Sequence, residues 1–305
     1  MISVIIPVFN EIGSLPELMD QLRKVLHIYK KWEILFVDDG STDGSTEFLN
    51  DLSRKDENVT LIQFHRNYGK SAALAEGFKR AKGEFLITMD ADLQDDPAEI
   101  PNLMKKLEEG FDLVSGWKKE RKDPISKRFP SKIFNYVTRI MTGVKIHDFN
   151  CGLKIYRKEV IKTLDLYGGR HRYIPALAGH NKFRISEIQV NHRPRMHGVT
   201  KYGGSRLFHG FFDLISIIFM NRYTQQPLHL FGFFGLFCGL ASLTLELYVI
   251  GRKIFSGHSF YEHLALMLFG AMLFILGLWF FSIGLIAEMI TRGAQEKESR
   301  VKQII

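Results

Sequence analysis

Glu84-Phe-Leu-Ile-Thr-Met-Asp-Ala-Asp-Leu-Gln-Asp-Asp-Pro97 is the stretch from which the rest of the chain can be read. Its first half is a short apolar run, and Asp90 and Asp92 follow directly, one residue apart. A buried strand that ends in two carboxylates belongs in an open α/β sheet, where ligands sit beyond the carboxyl ends of the strands. A D-x-D pair there is a hard oxygen site. It suits Mg²⁺ or Mn²⁺, with the remaining ligands drawn from water and a substrate's phosphates. That points to a metal-dependent enzyme acting on a nucleotide diphosphate. The same run also has a plainer reading. Asp96-Pro97 has the form of a helix N-cap with proline at N1, and acidic residues before a proline often only open a helix.

Working outward, Val4–Val8, Glu33–Val37, Val59–Phe64 and Leu113–Ser115 are further apolar runs of strand length. Helical stretches lie between them. Ser14-Leu-Pro-Glu17 has the form of a capping box opening the first, and 70–82 contains another. Near-continuous apolar strands alternating with helices indicate a mostly parallel sheet covered on both faces. Each strand end carries polar residues: Pro7-Val-Phe-Asn-Glu11, Val37-Asp-Asp-Gly-Ser-Thr-Asp43, His65-Arg-Asn-Tyr-Gly-Lys70 and the D-x-D itself. The first turn has no G-x-G-x-x-G, which argues against a pyrophosphate cradled on the first helix. Carboxylates can instead accept hydrogen bonds from a base N–H or from ribose hydroxyls.

The 305 residues carry a net charge of +8, which favours an anionic partner: a nucleotide, a phospholipid surface or a nucleic acid. Cys151 and Cys238 fall in segments of different character, so no disulfide framework is expected and a reducing compartment fits. The N-terminus lacks a basic leader segment and reads as a strand. There is no internal repeat.

Composition changes near residue 227. Leu228–Ile250 is 23 residues with one charge, Glu246, and Leu264–Ala287 is 24 residues with none. At 1.5 Å per residue each is long enough to cross a hydrocarbon core of about 30 Å. Two buried core helices are the alternative, disfavoured by their length and lack of a polar face. A connection over Gly251–His263 makes the spans a hairpin with both flanks on one side. Arg206, Arg222, Arg292, Lys297, Arg300 and Lys302 flank it, against Arg252 and Lys253 in the loop, which puts the large domain in the cytoplasm, at the inner (plasma) membrane. Before the first span, Leu207, Phe208, Phe211, Phe212, Ile215, Ile218 and Phe219 share one helical face, as in a helix lying in the membrane interface. The expected organisation is a catalytic domain over 1–204, an amphipathic helix over 205–226, a two-helix hairpin over 227–292 and a cytoplasmic tail over 293–305.

Taken together, Pro7–Glu11, Val37–Asp43, Arg66-Asn-Tyr-Gly69 and Asp90–Pro97 resemble family-2 glycosyltransferases of the GT-A fold, over roughly residues 1–200. Asp148-Phe-Asn-Cys-Gly-Leu-Lys154 and the hairpin narrow this to the polyprenyl-phosphate branch, which includes dolichyl-phosphate mannose synthases and bactoprenyl glucosyltransferases. The chain lacks the Q-x-x-R-W of processive polysaccharide synthases. The resemblance implies that Asp39 binds the base with Pro7, Asn10 and Glu11 lining that pocket, and that Asp90 stands near ribose and sugar. It implies that Asp92 and Gln94 hold Mg²⁺ or Mn²⁺ with the donor's diphosphate. Lys118, Arg128 and Ser131 would bind the acceptor's phosphate, although related enzymes often carry Arg where Lys118 stands. Lys127 and Lys132 belong to the same basic run, and a solvated or lipid-facing surface is their simpler explanation. Asp148 would orient the reacting centre or act as a base; with Asp90 and Arg128 it completes the catalytic set. The implied partners are a nucleotide sugar, undecaprenyl or dolichyl phosphate and membrane lipids, with no nucleic acid and room for a homo-oligomer. The rivals are a different lipid acceptor such as diacylglycerol, and a non-enzymatic nucleotide-binding membrane module.

Overall fold

Short apolar runs alternating with amphipathic stretches build a seven-stranded sheet with helices on both faces. The computed structural model describes residues 1–119, 125–164, 166–193, 226–257 and 259–295, with the backbone alone for 125–130 and 292–295. The readings placed on 194–225, on Lys297, Arg300 and Lys302, and on the side chains of Lys127, Arg128 and Arg292 lie outside the described residues. The chain forms two compact units, Met1–Ile215 and Ser216–Ile305.

In the first unit the elements run β1 (Ile2–Val8), α1 (Leu15–Leu26), β2 (Trp32–Asp38), α2 (Ser45–Lys55), β3 (Val59–Gln63), α3 (Lys70–Arg80), β4 (Phe85–Thr88) and α4 (Ile100–Glu108). Then come β5 (Leu113–Trp117), α5 (Ile125–Thr142), β6 (Lys154–Arg157), α6 (Lys158–Lys162), α7 (Ile174–His180) and β7 (Ile185–Gln189). The strand order is β3-β2-β1-β4-β6-β5-β7. All pairs are parallel except those of β6, which runs antiparallel to both β4 and β5.

The apolar strands are two-sided because each face meets a helix layer. Val4, Ile6 and Val8 of β1 pack with Leu15, Leu18 and Leu22 of α1 and with Leu103 and Leu107 of α4. Ile5 and, from β2, Leu35 and Val37 point the other way, against Ala73, Leu74 and Phe78 of α3. Burying one such leucine stabilises the fold by about 1.5–3 kcal/mol, so spacing that keeps Leu15, Leu18, Met19, Leu22 and Leu26 on one stripe determines where α1 lies. Ser14 differs from its expected role. It makes no side-chain capping bond; its hydroxyl donates to the carbonyls of Glu11 (2.9 Å) and Ala91 (2.6 Å), tying the start of α1 to the acidic turn.

The register sets the functional edge. Val8 is opposite Asp38, Asp38 is opposite Gln63, and Ile5 is opposite Thr88. The segments that leave β1, β2, β3 and β4 therefore emerge side by side.

The second unit holds α8 (Pro227–Ser256) and α9 (Leu264–Gln295), joined through a single 3₁₀ turn, Phe260–His263, that opens with a capping box from Ser259 and Glu262. Both helices outrun the expected spans, and Arg252 and Lys253 fall inside α8 rather than in a loop. Only 22% and 11% of their most apolar windows are buried, against the mostly buried state of a core helix. Small residues bring the helices together: a Cβ on Gly235 would stand 2.9 Å from the Gly277 carbonyl, and one on Gly277 the same distance from that of Gly235. The Ser242 hydroxyl donates to the Gly270 carbonyl at 2.7 Å. Such close backbone approach and hydroxyl bonding suit helix pairs in lipid.

Candidate active site

The loops after β1 and β2 are bonded into one surface. Asn10 adopts a left-handed conformation, φ 54°, and its side-chain oxygen accepts from the Thr42 N–H at 2.7 Å. Its own N–H donates to Ser41 Oγ, and that of Glu11 to Ser45 Oγ. Asp43 accepts from the Ile12 N–H. Asn10 and Glu11 are thus fixed on this loop surface, with Pro7 half-buried in β1.

Asp38 and Asp39 divide their work. Asp38 is fully buried and accepts from Ser41 N–H and the Thr46 hydroxyl, which shapes the loop itself. Asp39 faces the loop after β3: its two oxygens accept from Tyr68 N–H (2.6 Å) and Gly69 N–H (2.9 Å). Burial raises its pKa, the two backbone bonds oppose the shift, and Asp38 adds to it. Gly40 permits this approach. Its φ is +76°, and a Cβ there would lie 2.8 Å from the Arg66 carbonyl carbon.

The acidic turn after β4 holds four carboxyl groups with separate partners. Asp90 is ion-paired with Lys70, the first residue of α3. Burial would push its carboxyl up, but Lys70, and then Lys118, hold it well below the usual carboxylate range. Asp92 is buried and accepts the Gln94 N–H at 3.1 Å, while Leu93 takes a positive φ between them. Asp95, 1% exposed, lies 2.7 Å from the Lys118 ammonium and accepts the Asp90 N–H. Asp96 caps the following 3₁₀ turn by accepting Ala98 N–H and pairs with Arg193 at 2.7 Å. The helix-cap reading of this run therefore holds for Asp96 and leaves Asp90 and Asp92 facing the edge of the sheet. Gly152 closes the far side: a Cβ there would fall 2.7 Å from Asp95 Oδ2 and 2.8 Å from Asp90 Oδ2.

Beside this turn a cleft of about 450 Å³ opens between β5 and α5, lined by Lys118, Lys119, Ser131, Lys132, Arg139 and Asp148 among others. Trp117 and His147 stack in its wall at 4.4 Å, and His147 is held by Glu187. Asp148 is 1% exposed and accepts the Asn150 N–H. Of the residues expected to receive an acceptor phosphate, Ser131 and Lys118 share this cleft with Asp148. Lys118 is nevertheless committed to Asp95. Burial works against its charge, but Asp95 and its neighbours hold it firmly protonated. Arg128 stands on the same helix, α5.

Sequence reasoning assigned no role to several groups that shape the site. Lys70 was legible only as the end of a loop motif. Lys154 is buried and donates to the Cys151 carbonyl, with its pKa lowered by burial. His171 reaches α3 from the 3₁₀ turn Arg170–Tyr173, and nothing in the local pattern marks it. Cys151 is 1% exposed, and burial pushes its thiol up to about 12.

A mixed sheet with carboxylates at the ends of successive strands and a basic cleft alongside defines a nucleotide-sugar-binding fold of the GT-A type. Residues 3–165 match Glycosyl transferase family 2, and the chain belongs to that family. A dodecaprenyl-phosphate galacturonate synthase of Rhizobium johnstonii is 39% identical over 95% of this chain and 88% of its own length. An undecaprenyl-phosphate 4-deoxy-4-formamido-L-arabinose transferase of Pseudomonas aeruginosa is 34% identical over 100% of this chain and 89% of its own. Among solved structures, glucosyl-3-phosphoglycerate synthase from Mycobacterium tuberculosis, in complex with Mn²⁺, UDP-glucose and phosphoglyceric acid, has a TM-score of 0.56. It is 17% identical, and the likeness covers 72% of this chain and 79% of that one, which establishes the shared fold. Staphylococcus aureus TarS with UDP-GlcNAc gives 0.53 at 21% identity, over 72% of this chain and 66% of that one.

Proposed function

We propose that this protein transfers a sugar from a nucleotide diphosphate sugar to a polyprenyl monophosphate at the cytoplasmic face of the membrane, inverting the anomeric carbon. The observation that carries the reading is the match to polyprenyl-phosphate sugar transferases along essentially the whole chain, both long apolar helices included. Asp39, Asn10, Glu11 and Pro7 receive the nucleoside, and Asp90 stands by the ribose and sugar.

The residues present fit a divalent cation that keeps substrate and water ligands. Among the described residues no group of three or more His, Cys, Asp or Glu forms a cage. Asp92, with Gln94 beside it, would hold the cation together with the donor's diphosphate. Mg²⁺ and Mn²⁺ bind in that manner, through one or two carboxylates and a substrate's phosphates. Such a cation neutralises charge developing on the departing diphosphate.

A phosphate monoester has its second pKa near 6 and is largely dianionic at neutral pH. It needs no strong base to attack; it needs cations that hold it in line with the anomeric carbon. The basic cleft supplies them. Ser131 and Arg128 on α5 bind the phosphate, and a guanidinium suits a phosphate's oxygens bidentately. Asp148, buried at the cleft, orients this arrangement rather than taking a proton. The two-helix hairpin keeps the protein at the headgroup level where a polyprenyl phosphate presents its reacting group.

The test is transfer of radiolabelled sugar from a panel of nucleotide sugars to undecaprenyl phosphate and to diacylglycerol, with and without EDTA. Transfer to the polyprenyl phosphate that EDTA abolishes, and that Mg²⁺ or Mn²⁺ restores, is the expected result. Preference for diacylglycerol would overturn the acceptor, and full activity in EDTA would overturn the metal.

A further inference from the structure

We propose that His171 is a donor-contacting residue, whose Nε2–H hydrogen-bonds the sugar of the nucleotide sugar. The inference rests on the transferase reading above. Two adjacent residues at the start of α3 reach in different directions: Lys70 pairs with Asp90, and Ser71, which is buried, engages His171. The Ser71 hydroxyl oxygen accepts the backbone N–H of His171 at 3.0 Å. Nδ1 of the same residue stands 2.9 Å from that oxygen, and for the neutral ring that burial favours we assign the hydroxyl proton to it. Nδ1 is then an acceptor, and the ring's proton sits on Nε2.

The surroundings favour that state. Burial, with Lys70 and Arg172 nearby, holds the imidazole well below its usual pKa, and Asp90 opposes this only in part. The residue keeps some exposure, and its ring lies within electrostatic reach of Asp90 and Lys154. The charged side chains around Asp90 are the cations Lys70, Lys118 and Lys154 and the buried carboxylate of Asp95. His171 thus adds an uncharged, one-proton donor, oriented by Ser71, to a site otherwise built from charges. A single fixed neutral donor beside the carboxylate at the ribose and sugar is suited to reading a sugar hydroxyl or carbonyl, because losing such a partner leaves a polar group unpaired. The plainer role, stapling the 3₁₀ turn onto α3, would need only the backbone bond to Ser71.

Two substitutions separate these roles. Asn at 171 can retain the acceptor facing Ser71 but has nothing at the position of Nε2; Gln places its amide near that position. His171→Asn should lower kcat/KM for the nucleotide sugar by about tenfold, leave the affinity for the free nucleoside diphosphate and the melting temperature unchanged, and be partly rescued in His171→Gln. The measurements are steady-state transfer and calorimetric titration on the full-length protein in detergent. Equal loss of free-nucleotide affinity, a lowered melting temperature in both variants, or unchanged kcat/KM in His171→Asn would each overturn the assignment. If the wild-type protein turned over no nucleotide sugar, the transferase reading itself would fail, an outcome distinct from any of these.

Discussion

Lys118→Met separates two roles for the same residue. The sequence placed Lys118 among the groups that bind an acceptor phosphate, and it does line the basic cleft. Its ammonium is nonetheless 2.7 Å from Asp95, and the two side chains are 11% and 0% exposed. Removing one partner of a buried pair leaves the other as an uncompensated charge, at a cost of about 3–5 kcal/mol. In a unit of this size each kcal/mol moves the melting temperature by about 2–4 °C, so the variant should melt roughly 6–20 °C lower. Circular dichroism of the full-length protein in detergent would read this, alongside the tryptophan emission that reports on Trp32 and Trp117. Adding Asp95→Asn should recover most of the loss, since a neutral amide still accepts the Asp90 N–H and no longer needs a cation. A melting temperature within about 2 °C of wild type, with only the acceptor's KM raised, would refute the argument and return Lys118 to the phosphate.

Four further outcomes follow from the site and the hairpin. Gly152→Ala forces a methyl against two carboxylates that Lys70 and Lys118 pin in place; transfer should fall about 100-fold with the protein still folded, as measured by initial rates and circular dichroism. Arg128→Lys keeps the charge and loses the planar fork, so titration should show acceptor affinity weakened well beyond nucleotide affinity; equal losses would mean a structural role. Because burial raises the Asp39 carboxyl above its ordinary pKa, nucleotide affinity should decline as pH falls through that raised value. The folded protein holds this proton more tightly than the unfolded chain, so Asp39 contributes stability below the unfolded pKa that is lost as pH rises through the folded one. A cysteine introduced at the exposed Ser256 should react with an impermeant thiol reagent from outside intact cells, whereas Cys151, 1% exposed, should stay silent on either side.

The parallel half of the sheet was legible because its strands are buried on both faces and so read as unbroken apolar runs. In the other half β5 was read, but β6 and β7 were not. β6 is four residues long with a buried lysine in it, and β7, Ile-Ser-Glu-Ile-Gln, is only partly buried, so neither has the apolar density that marks β1 or β2. Antiparallel insertion of β6 is a tertiary result that no local period encodes. The two long helices were legible for a related reason: α8 and α9 read as long apolar runs with few charges. Their closing glycines, Gly235 and Gly277, carry no signal until the helices are set against each other.

The acidic run shows where reading a motif stops and geometry begins. Asp90, Asp92, Asp95 and Asp96 look alike in sequence, and a ligand-binding turn and a helix cap seemed to be competing accounts of them. The fold gives each a different counterpart: Lys70 for Asp90, the Gln94 N–H for Asp92, Lys118 for Asp95, and a 3₁₀ turn with Arg193 for Asp96. The ionic counterparts, Lys70, Lys118 and Arg193, come from α3, the residue after β5 and the segment after β7, between about 20 and 100 residues away, so no window around the run could have sorted them. The two readings are consequently parts of one device. The capped, doubly paired end at Asp95 and Asp96 anchors the turn to the body of the domain. That rigidity holds Asp90 and Asp92 at the edge of the sheet, and a substrate site requires such fixed neighbours behind the side chains that meet the ligand.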